Sequence, residues 1–151
     1  MVDVFYIGGT KVGAMFGEAV VFSGMKTPKY FFTNVKRHGA LLAKGRMLGI
    51  QFDTLFTDNL YFKVSRHAIA MSERIRSIFC KHGIDIAYDS PTNQQFIILS
   101  PTLYEKLSQK VAFEIWVRKS ETEIICRFVT SWATREEELE ELDEILQNIL
   151  S

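Results

Sequence analysis

The chain has 151 residues, of which 47% are hydrophobic and 24% charged, a composition typical of a globular protein and unlike a disordered one. Eighteen basic residues balance eighteen acidic ones, which argues against a dedicated nucleic-acid binder. Nothing approaches the roughly 18-residue apolar run of a membrane span, and no signal-type block follows Met1, so we expect a soluble, cytoplasmic protein of the mixed α/β class.

The first elements predicted along the chain are two short strands separated by a glycine-rich turn. Residues 4–7 are rich in β-forming side chains and stop at a pair of glycines, and residues 17–22 resume the extended pattern. Strands with open edges need partners, so we expect these two to join other strands. A helix is predicted next, over residues 34–56.

The second part of the chain reads as helix, strands and helix. A long helix is predicted over residues 60–81, with Gly83 placed to stop it. Strands are predicted over 84–88, 95–99, 112–118 and 123–130, with a short helix over 102–109. We therefore divide the chain into residues 1–55 and a compact α+β unit, residues 56–151.

The last helix has a predicted start and a predicted buried face. Thr134 at the N-cap and Glu137 three residues later match a capping box. Apolar residues then recur at helical spacing, and the carboxylates between them suit a solvated face. The apolar positions are Leu139, Leu142, Ile145, Leu146 and Ile149.

Histidine and cysteine form no metal-binding set in the sequence. His38, His67 and His82 lie far apart, and we expect His67 and His82 to face solvent. Cys126 alternates with apolar residues and is predicted to lie in the core, whereas Cys80 is predicted to pack within its helix.

Lys11 is the first candidate for chemistry, because it follows a strand and a glycine pair and precedes Gly13. Glycines on both sides let the backbone turn sharply and let a planar ligand approach. A lysine there could form a Schiff base with a carbonyl compound. The phosphate-binding P-loop pattern is absent. On spacing alone, a surface lysine in a hairpin loop is the commoner explanation.

A basic stretch and a strand arginine are the other candidates. Between Glu18 and Asp53 the chain has six basic residues and no acidic one, which suits an anionic small molecule or an ordinary solvated face. Arg127 has apolar neighbours on a predicted strand, so it must reach a carboxylate or a cleft. Its guanidinium suits a substrate carboxylate, and a structural ion pair with a glutamate is equally compatible.

Two segments resemble a known family. Residues 5–20, FYIGGTKVGAMFGEAV, resemble the cofactor-lysine segment of the threonine aldolases, which are pyridoxal-phosphate (PLP) enzymes of the aspartate aminotransferase fold, type I, often grouped with the β-eliminating lyases. Residues 127–132, RFVTSW, resemble the family's C-terminal strand, whose arginine holds the substrate carboxylate. The order and separation of the elements also fit, so the resemblance covers essentially the whole chain.

The resemblance implies an activity and the residues for it. The intact protein would cleave a β-hydroxy-α-amino acid to glycine and an aldehyde, with racemisation and β-elimination as close rivals. Lys11 would form a Schiff base with pyridoxal 5′-phosphate, and Arg127 would bind the α-carboxylate of the small amino-acid substrate. Lys36 matches a family lysine on the substrate side of the site.

The resemblance also implies cofactor contacts and self-association. Where the family has an arginine that reaches the cofactor phosphate of a neighbouring subunit, this chain has Ala43, so Lys44 or Arg46 would take that contact. Thr10 would be a further cofactor contact, beside the lysine. Family members are dimers or tetramers with sites shared across the interface, so a homo-oligomer is expected.

Members of the family are roughly twice as long as this chain. The resemblance therefore implies that residues 1–55 are the end of the large PLP-binding domain and that residues 56–151 are the small domain. The phosphate cup, the ring-stacking histidine and the aspartate for the pyridinium nitrogen have no counterpart upstream of Lys11. We expect a C-terminal portion that is inactive, or nearly so, by itself.

Two other functions stay open at this point. One is a binding or assembly module without chemistry, which pairs through its open strands. An internal salt bridge at Arg127 would favour that function, and a full basic cofactor pocket would count against it. A nucleic-acid module on residues 26–46 is less favoured, because it lacks a recognised motif and an aromatic–basic pattern on a sheet.

Overall fold

The structure is a computed structural model that describes residues 2–24 and 27–151. The chain divides into two compact units, residues 1–63 and residues 64–151, and each is described by itself. Lys26 of the basic stretch lies outside the described residues. In the described part of the chain, no helix combines the length and the apolar character needed to cross a membrane.

The first unit opens with an antiparallel hairpin, which confirms the two predicted strands. β1 (Val4–Gly8) pairs with β2 (Glu18–Phe22), and Tyr6 lies opposite Val20. Within the described residues these two strands form a sheet of their own. Each strand therefore has one edge that no described strand pairs with, and the expectation that the two strands join further strands stays a prediction.

The single helix predicted over residues 34–56 is wrong, because two helices lie there. α1 (Phe31–Arg37) ends before Gly39, whose φ of 69° is left-handed. Glycine adopts this conformation without a Cβ clash and so closes helices. α2 (Arg46–Phe56) is a separate helix, and its buried side chains pack within the first unit.

α3 (Leu60–Lys81) confirms the long predicted helix. Gly83 has a φ of 72°, and the N–H of Ile84 donates to the carbonyl oxygen of Phe79 at 3.0 Å. Glycine thus stops the helix where the sequence placed the stop. The buried face repeats at helical spacing and includes Ala68, Met71, Ile75 and Phe79.

A three-stranded antiparallel sheet with strand order β3-β5-β4 lies in the second unit. β3 (Gln94–Leu99), β4 (Glu114–Arg118) and β5 (Ile124–Val129) confirm three predicted strands. The strand predicted over residues 84–88 is wrong, since only an isolated bridge between Ile86 and Ile97 forms there. The chain bends at residues 87–88, so the alternating pattern cannot extend into a ladder.

One face of this sheet carries the core. α4 (Pro101–Ser108), which confirms the short predicted helix, and α5 (Glu136–Leu150) pack on it together with α3. Cys126 is fully buried there, as predicted. The apolar face predicted for the last helix is also confirmed. The core includes Phe79, Ile97, Leu99, Leu107, Ile124, Phe128, Leu139, Leu142 and Leu146.

The capping box predicted at the start of the last helix is wrong by one residue. The N–H of Arg135 donates to Glu138 Oε2 at 3.0 Å, so Glu138 and not Glu137 closes the first turn. Thr134 Oγ1 instead accepts from the N–H of Ser131 at 3.0 Å. The Thr134 hydroxyl, which the sequence pattern assigned to the N-cap of α5, therefore stabilises the turn before the helix instead.

Candidate functional site

Lys11 lies in a single 3₁₀ turn (Thr10–Val12) that joins β1 to β2. The N–H of Ala14 donates to the carbonyl oxygen of Gly9 at 2.9 Å and closes the turn. Gly13 has a φ of 97°, a left-handed conformation that residues other than glycine rarely adopt. The glycines on both sides of the lysine are thus where the sharp turn forms, and the Lys11 side chain is exposed.

The turn that carries Lys11 is packed tightly on its inner side. A Cβ at Gly9 would lie 2.6 Å from Ala14 Cβ and 2.9 Å from Cζ of Phe52, which belongs to α2. The hydroxyl of Tyr61 donates to the carbonyl oxygen of Gly8 at 3.1 Å. These contacts hold the backbone of the turn in place while the amine of Lys11 faces outward.

Four more of the residues that the resemblance assigned to cofactor and substrate lie in the same unit, and all four are exposed. Thr10 adjoins Lys11 in the turn, and Lys36 lies in the last turn of α1. Lys44 and Arg46 flank the N-terminus of α2, whose N-cap, Gly45, has no side-chain cap. The N-terminus of a helix carries a partial positive charge, and together with two cations it attracts anions.

Arg127 lies on β5, the central strand of the second unit's sheet, opposite Phe96 on one side and Glu114 on the other. Its Nη2 donates to Oε2 of Glu114, and its Nη1 donates to Oε1 of Gln94 at 3.3 Å. The guanidinium carbon lies 5.3 Å from the ring centroid of Trp116. Of the two alternatives open from the sequence, the ion pair with a glutamate is therefore present.

A row of aromatic rings begins at Trp116, the ring that contacts this arginine. The ring centroids of Phe96 and Trp116 are 5.3 Å apart, and those of Tyr88 and Phe96 are 5.5 Å apart. Trp116 is 52% exposed, so the row of rings borders solvent. Nε of Arg127 is buried and has no hydrogen-bond partner in the described part of the chain. The guanidinium thus keeps donor capacity beyond its present contacts.

The chain has relatives of known activity, although no protein-family profile matches it. A low specificity L-threonine aldolase from Pseudomonas sp. (strain NCIMB 10558) is 27% identical over 152 residues, which cover 99% of this chain and 43% of that protein. A second, from Pseudomonas aeruginosa, is 27% identical over 143 residues, covering 93% of this chain and 40% of that protein.

A solved structure agrees with these relatives. The threonine aldolase of Leishmania major matches with a TM-score of 0.92 and 36% identity, over 99% of this chain and 44% of that one. The chain resembles threonine aldolases. Both the predicted resemblance and the mixed α/β class are confirmed by these matches. The chain spans less than half the length of each of these threonine aldolases.

Three side chains that contact Arg127 were missed at the level of sequence: Gln94, Glu114 and Trp116. Gln94 and Glu114 reach it from the neighbouring strands, and Trp116 lies at a register shift of β4. The pairing of the strands around Arg127 indicates which strands hold its partners, but the sequence does not give the register of β4. Counting back along a regular hairpin from Lys119 would have placed Ile115, not Glu114, opposite Arg127.

The prediction that His67 and His82 face solvent is wrong. Nε2 of His67 lies 2.7 Å from the carbonyl oxygen of Thr134, and Nε2 of His82 lies 2.6 Å from Oδ1 of Asp143. Hydrogen bonds from Lys81 and then His82 lower the pKa of Asp143 below its ordinary value. Both histidines therefore connect α3 to the chain at and before α5.

The two cysteines differ in burial, and the sequence predicted the position of Cys126 correctly but not that of Cys80. Cys80 is exposed, so the prediction that it packs within its helix is wrong. Burial raises the pKa of the Cys126 thiol to about 11. A buried thiol that stays protonated is a poor nucleophile, so Cys126 acts as a core residue.

Proposed function

We propose that this chain supplies the cofactor lysine and the substrate-carboxylate arginine of a PLP-dependent lyase, which cleaves a β-hydroxy-α-amino acid to glycine and an aldehyde. The observation that carries the proposal is the likeness in sequence and fold to threonine aldolase along nearly the whole chain. Because the chain spans under half the length of that relative, we assign it part of the catalytic machinery and expect little turnover from it alone.

The residues of the first unit fit the cofactor. Lys11 presents an exposed amine on a turn that tight packing at Gly9 holds in place, so it would hold PLP through Nζ. Thr10 would contact the cofactor beside it, and Lys44 and Arg46 would bind its phosphate dianion near the start of α2. When bound, PLP supplies the electron sink for the negative charge left when the Cα–Cβ bond breaks.

Arg127 would bind the α-carboxylate of the amino acid. A guanidinium forms two parallel hydrogen bonds with a carboxylate, and this fixes the position of the atoms attached to it. The cation–π contact with Trp116 limits the rotation of the Arg127 side chain, which favours such fixed binding. Lys36 would add positive charge on the substrate side.

Self-association is part of the proposal. Large apolar side chains of the first unit lie exposed, and Met15 at 82% and Phe32 at 71% are the most exposed of them. Exposed apolar side chains in such numbers are typical of surfaces that bind protein. We propose that copies of this chain or of the protein that contains it meet through the first unit.

One observation favours the second candidate, a binding module without chemistry. The ion pair between Arg127 and Glu114 occupies the guanidinium, as expected if the arginine had a structural role. Glu114 is mostly exposed, however, and solvent weakens an ion pair whose carboxylate is exposed. The pair is thus weak enough for a ligand carboxylate to replace it, and we favour the lyase.

Titration of the chain with PLP separates the two candidates. We expect a saturable change in visible absorption that Lys11→Ala abolishes. The matched control is Lys63→Ala, which removes another exposed lysine of the same unit and should leave the titration unchanged. A change that does not saturate, or that both variants reduce equally, would mean that Lys11 is an ordinary surface lysine and would favour the binding module.

A further inference from the structure

We propose that Glu114 is an internal competitor: its carboxylate occupies the position on the Arg127 guanidinium that a ligand carboxylate takes, and so lowers the affinity of the site for carboxylates. This inference rests on the proposed function, because it takes Arg127 as a carboxylate-binding residue. It adds to that function a residue that regulates when the guanidinium is free.

The arginine is the fixed partner of the pair. Arg127 lies on the central strand, its side chain is 28% exposed, and both of its neighbouring strands restrict it. Gln94 accepts from Nη1 at 3.3 Å, and the ring of Trp116 covers the guanidinium at 5.3 Å. Neither contact uses Glu114, so the guanidinium stays in place when that carboxylate leaves.

The glutamate is the movable partner. Glu114 lies on β4, an edge strand of the sheet, and its side chain is 68% exposed. A carboxylate this exposed regains its hydration when it turns away from the guanidinium, so breaking the pair has a small cost. Its hydrogen bond with Arg127 runs through one oxygen, Oε2. A free carboxylate that makes two parallel hydrogen bonds can therefore replace it.

An irregularity of the strand creates this arrangement. The pairing of β4 with β5 shifts between Ile115 and Val117, so Trp116 is an extra residue on β4. The shift brings Glu114 opposite Arg127 and lets the indole reach the guanidinium. β-Bulges re-aim side chains and are frequent next to functional sites. A regular hairpin would have left Arg127 without this carboxylate.

The test is a titration with sodium acetate at constant ionic strength, followed by the ¹⁵N NMR signal of the Arg127 Nε–H group. Chloride replaces acetate in the reference titration. The variants are Glu114→Gln and, as the matched control, Glu123→Gln, which removes the charge of another glutamate on the same hairpin, one that pairs with Lys119 at 2.8 Å. Arg127→Gln lacks the Nε–H group, so its acetate titration is followed by the NMR signals of the backbone amides. This variant shows how much of the acetate binding depends on the guanidinium.

We expect Glu114→Gln to bind acetate about two- to fivefold more tightly than the unchanged chain, the range that exposed ion pairs give. Glu123→Gln should bind like the unchanged chain, and Arg127→Gln should lose binding. Glu114→Ala should change affinity in the same direction as Glu114→Gln, because both remove the competing charge.

Two results would overturn the inference. The first would leave the proposed role of Arg127 intact, and the second would overturn that role as well. Equal or weaker binding by Glu114→Gln, while Arg127→Gln still abolishes binding, would show that Glu114 does not compete and would leave Arg127 as the carboxylate site. If acetate binding is absent, or unaffected by Arg127→Gln, then both the competitor role and the proposed role of Arg127 are wrong.

Discussion

The side chain of Gln51 binds the backbone at Met15: Oε1 of Gln51 accepts from the N–H of Met15 at 2.6 Å. The same amide donates from Nε2 to the carbonyl oxygen of Phe16 at 3.4 Å. One side chain in the middle of α2 therefore satisfies two backbone groups just after the turn that carries Lys11. The position of this turn therefore depends on α2. A substitution that loosens the packing between the turn and α2 should destabilise the turn and the helix together.

Gly9 and Gly8 offer a matched test of that dependence. Gly9→Ala should lower the free energy of unfolding by about 1 to 3 kcal/mol, because the new methyl group would collide with Ala14 and Phe52. Gly8→Ala should have a much smaller effect, because a Cβ at Gly8 would meet no atom within 4 Å. Urea unfolding followed by circular dichroism measures both. Equal effects of the two substitutions would contradict the tight packing at Gly9.

The Asp143 carboxylate should make stability depend on pH in acid. Its pKa in the folded chain lies below the ordinary value of 3.8, first because Lys81 and then because His82 donates to it. A lowered carboxyl pKa stabilises the fold above the unfolded-state value and stops doing so as the pH falls through the folded-state value. Asp143→Asn should therefore unfold at lower urea than the unchanged chain at pH 6.

This difference should shrink as the pH falls from about 4, the ordinary pKa that applies to the unfolded chain, through the lower pKa of Asp143 in the folded chain, because the carboxylate then takes up its proton. Glu140→Gln, a substitution on the exposed side of the same helix, is the control and should change the urea midpoint little at any pH. A difference between Asp143→Asn and the unchanged chain that stays constant from pH 6 to pH 3 would show that the carboxylate charge is not responsible.

The two cysteines should react at very different rates. At pH 8, Cys80 is exposed and should react quickly with a disulfide reagent such as DTNB. Cys126 is fully buried and its pKa is raised to about 11, so it should react only after unfolding. The native chain should then show one fast thiol, and Cys80→Ser none. Fast reaction of both thiols in the native chain would contradict the buried position of Cys126.

Phe79 should be among the residues that contribute most to the core of the second unit. It is fully buried, and its ring lies 4.9 Å from that of Phe128. Phe79→Ala should lower the free energy of unfolding by about 3 to 5 kcal/mol, through lost burial and a cavity. Phe62→Ala, at a position that is 58% exposed, should have a small effect. Urea unfolding again measures the difference, and similar losses would contradict the assigned core.

Local patterns predicted most elements of the fold. α3 and α5 follow from apolar spacing, and Gly83 marks the end of α3 because its left-handed conformation suits glycine. Gly39 does the same for α1, yet the apolar residues around it suggested one continuous helix. A glycine can lie inside a helix at a modest cost or end one, and neighbouring residues alone do not decide between the two.

The candidate site was predicted less completely than the fold. Lys11 and Arg127 were singled out from sequence, but the partners of Arg127 depend on which residues of β4 face it. The bulge at Trp116 shifts that pairing by one residue, and the propensities of the local residues do not predict a bulge. Long-range pairings such as that of His82 with Asp143 were missed for a related reason, since they depend on how the helices pack.

The most direct test of the central claim is to identify which lysine PLP modifies. The chain is incubated with PLP, reduced with borohydride and mapped by peptide mass spectrometry. We predict one stoichiometric adduct on Lys11, absent in Lys11→Ala and retained in Lys63→Ala. Scattered labelling of several exposed lysines, each far below one adduct per chain, would contradict the assignment of Lys11 as the cofactor lysine.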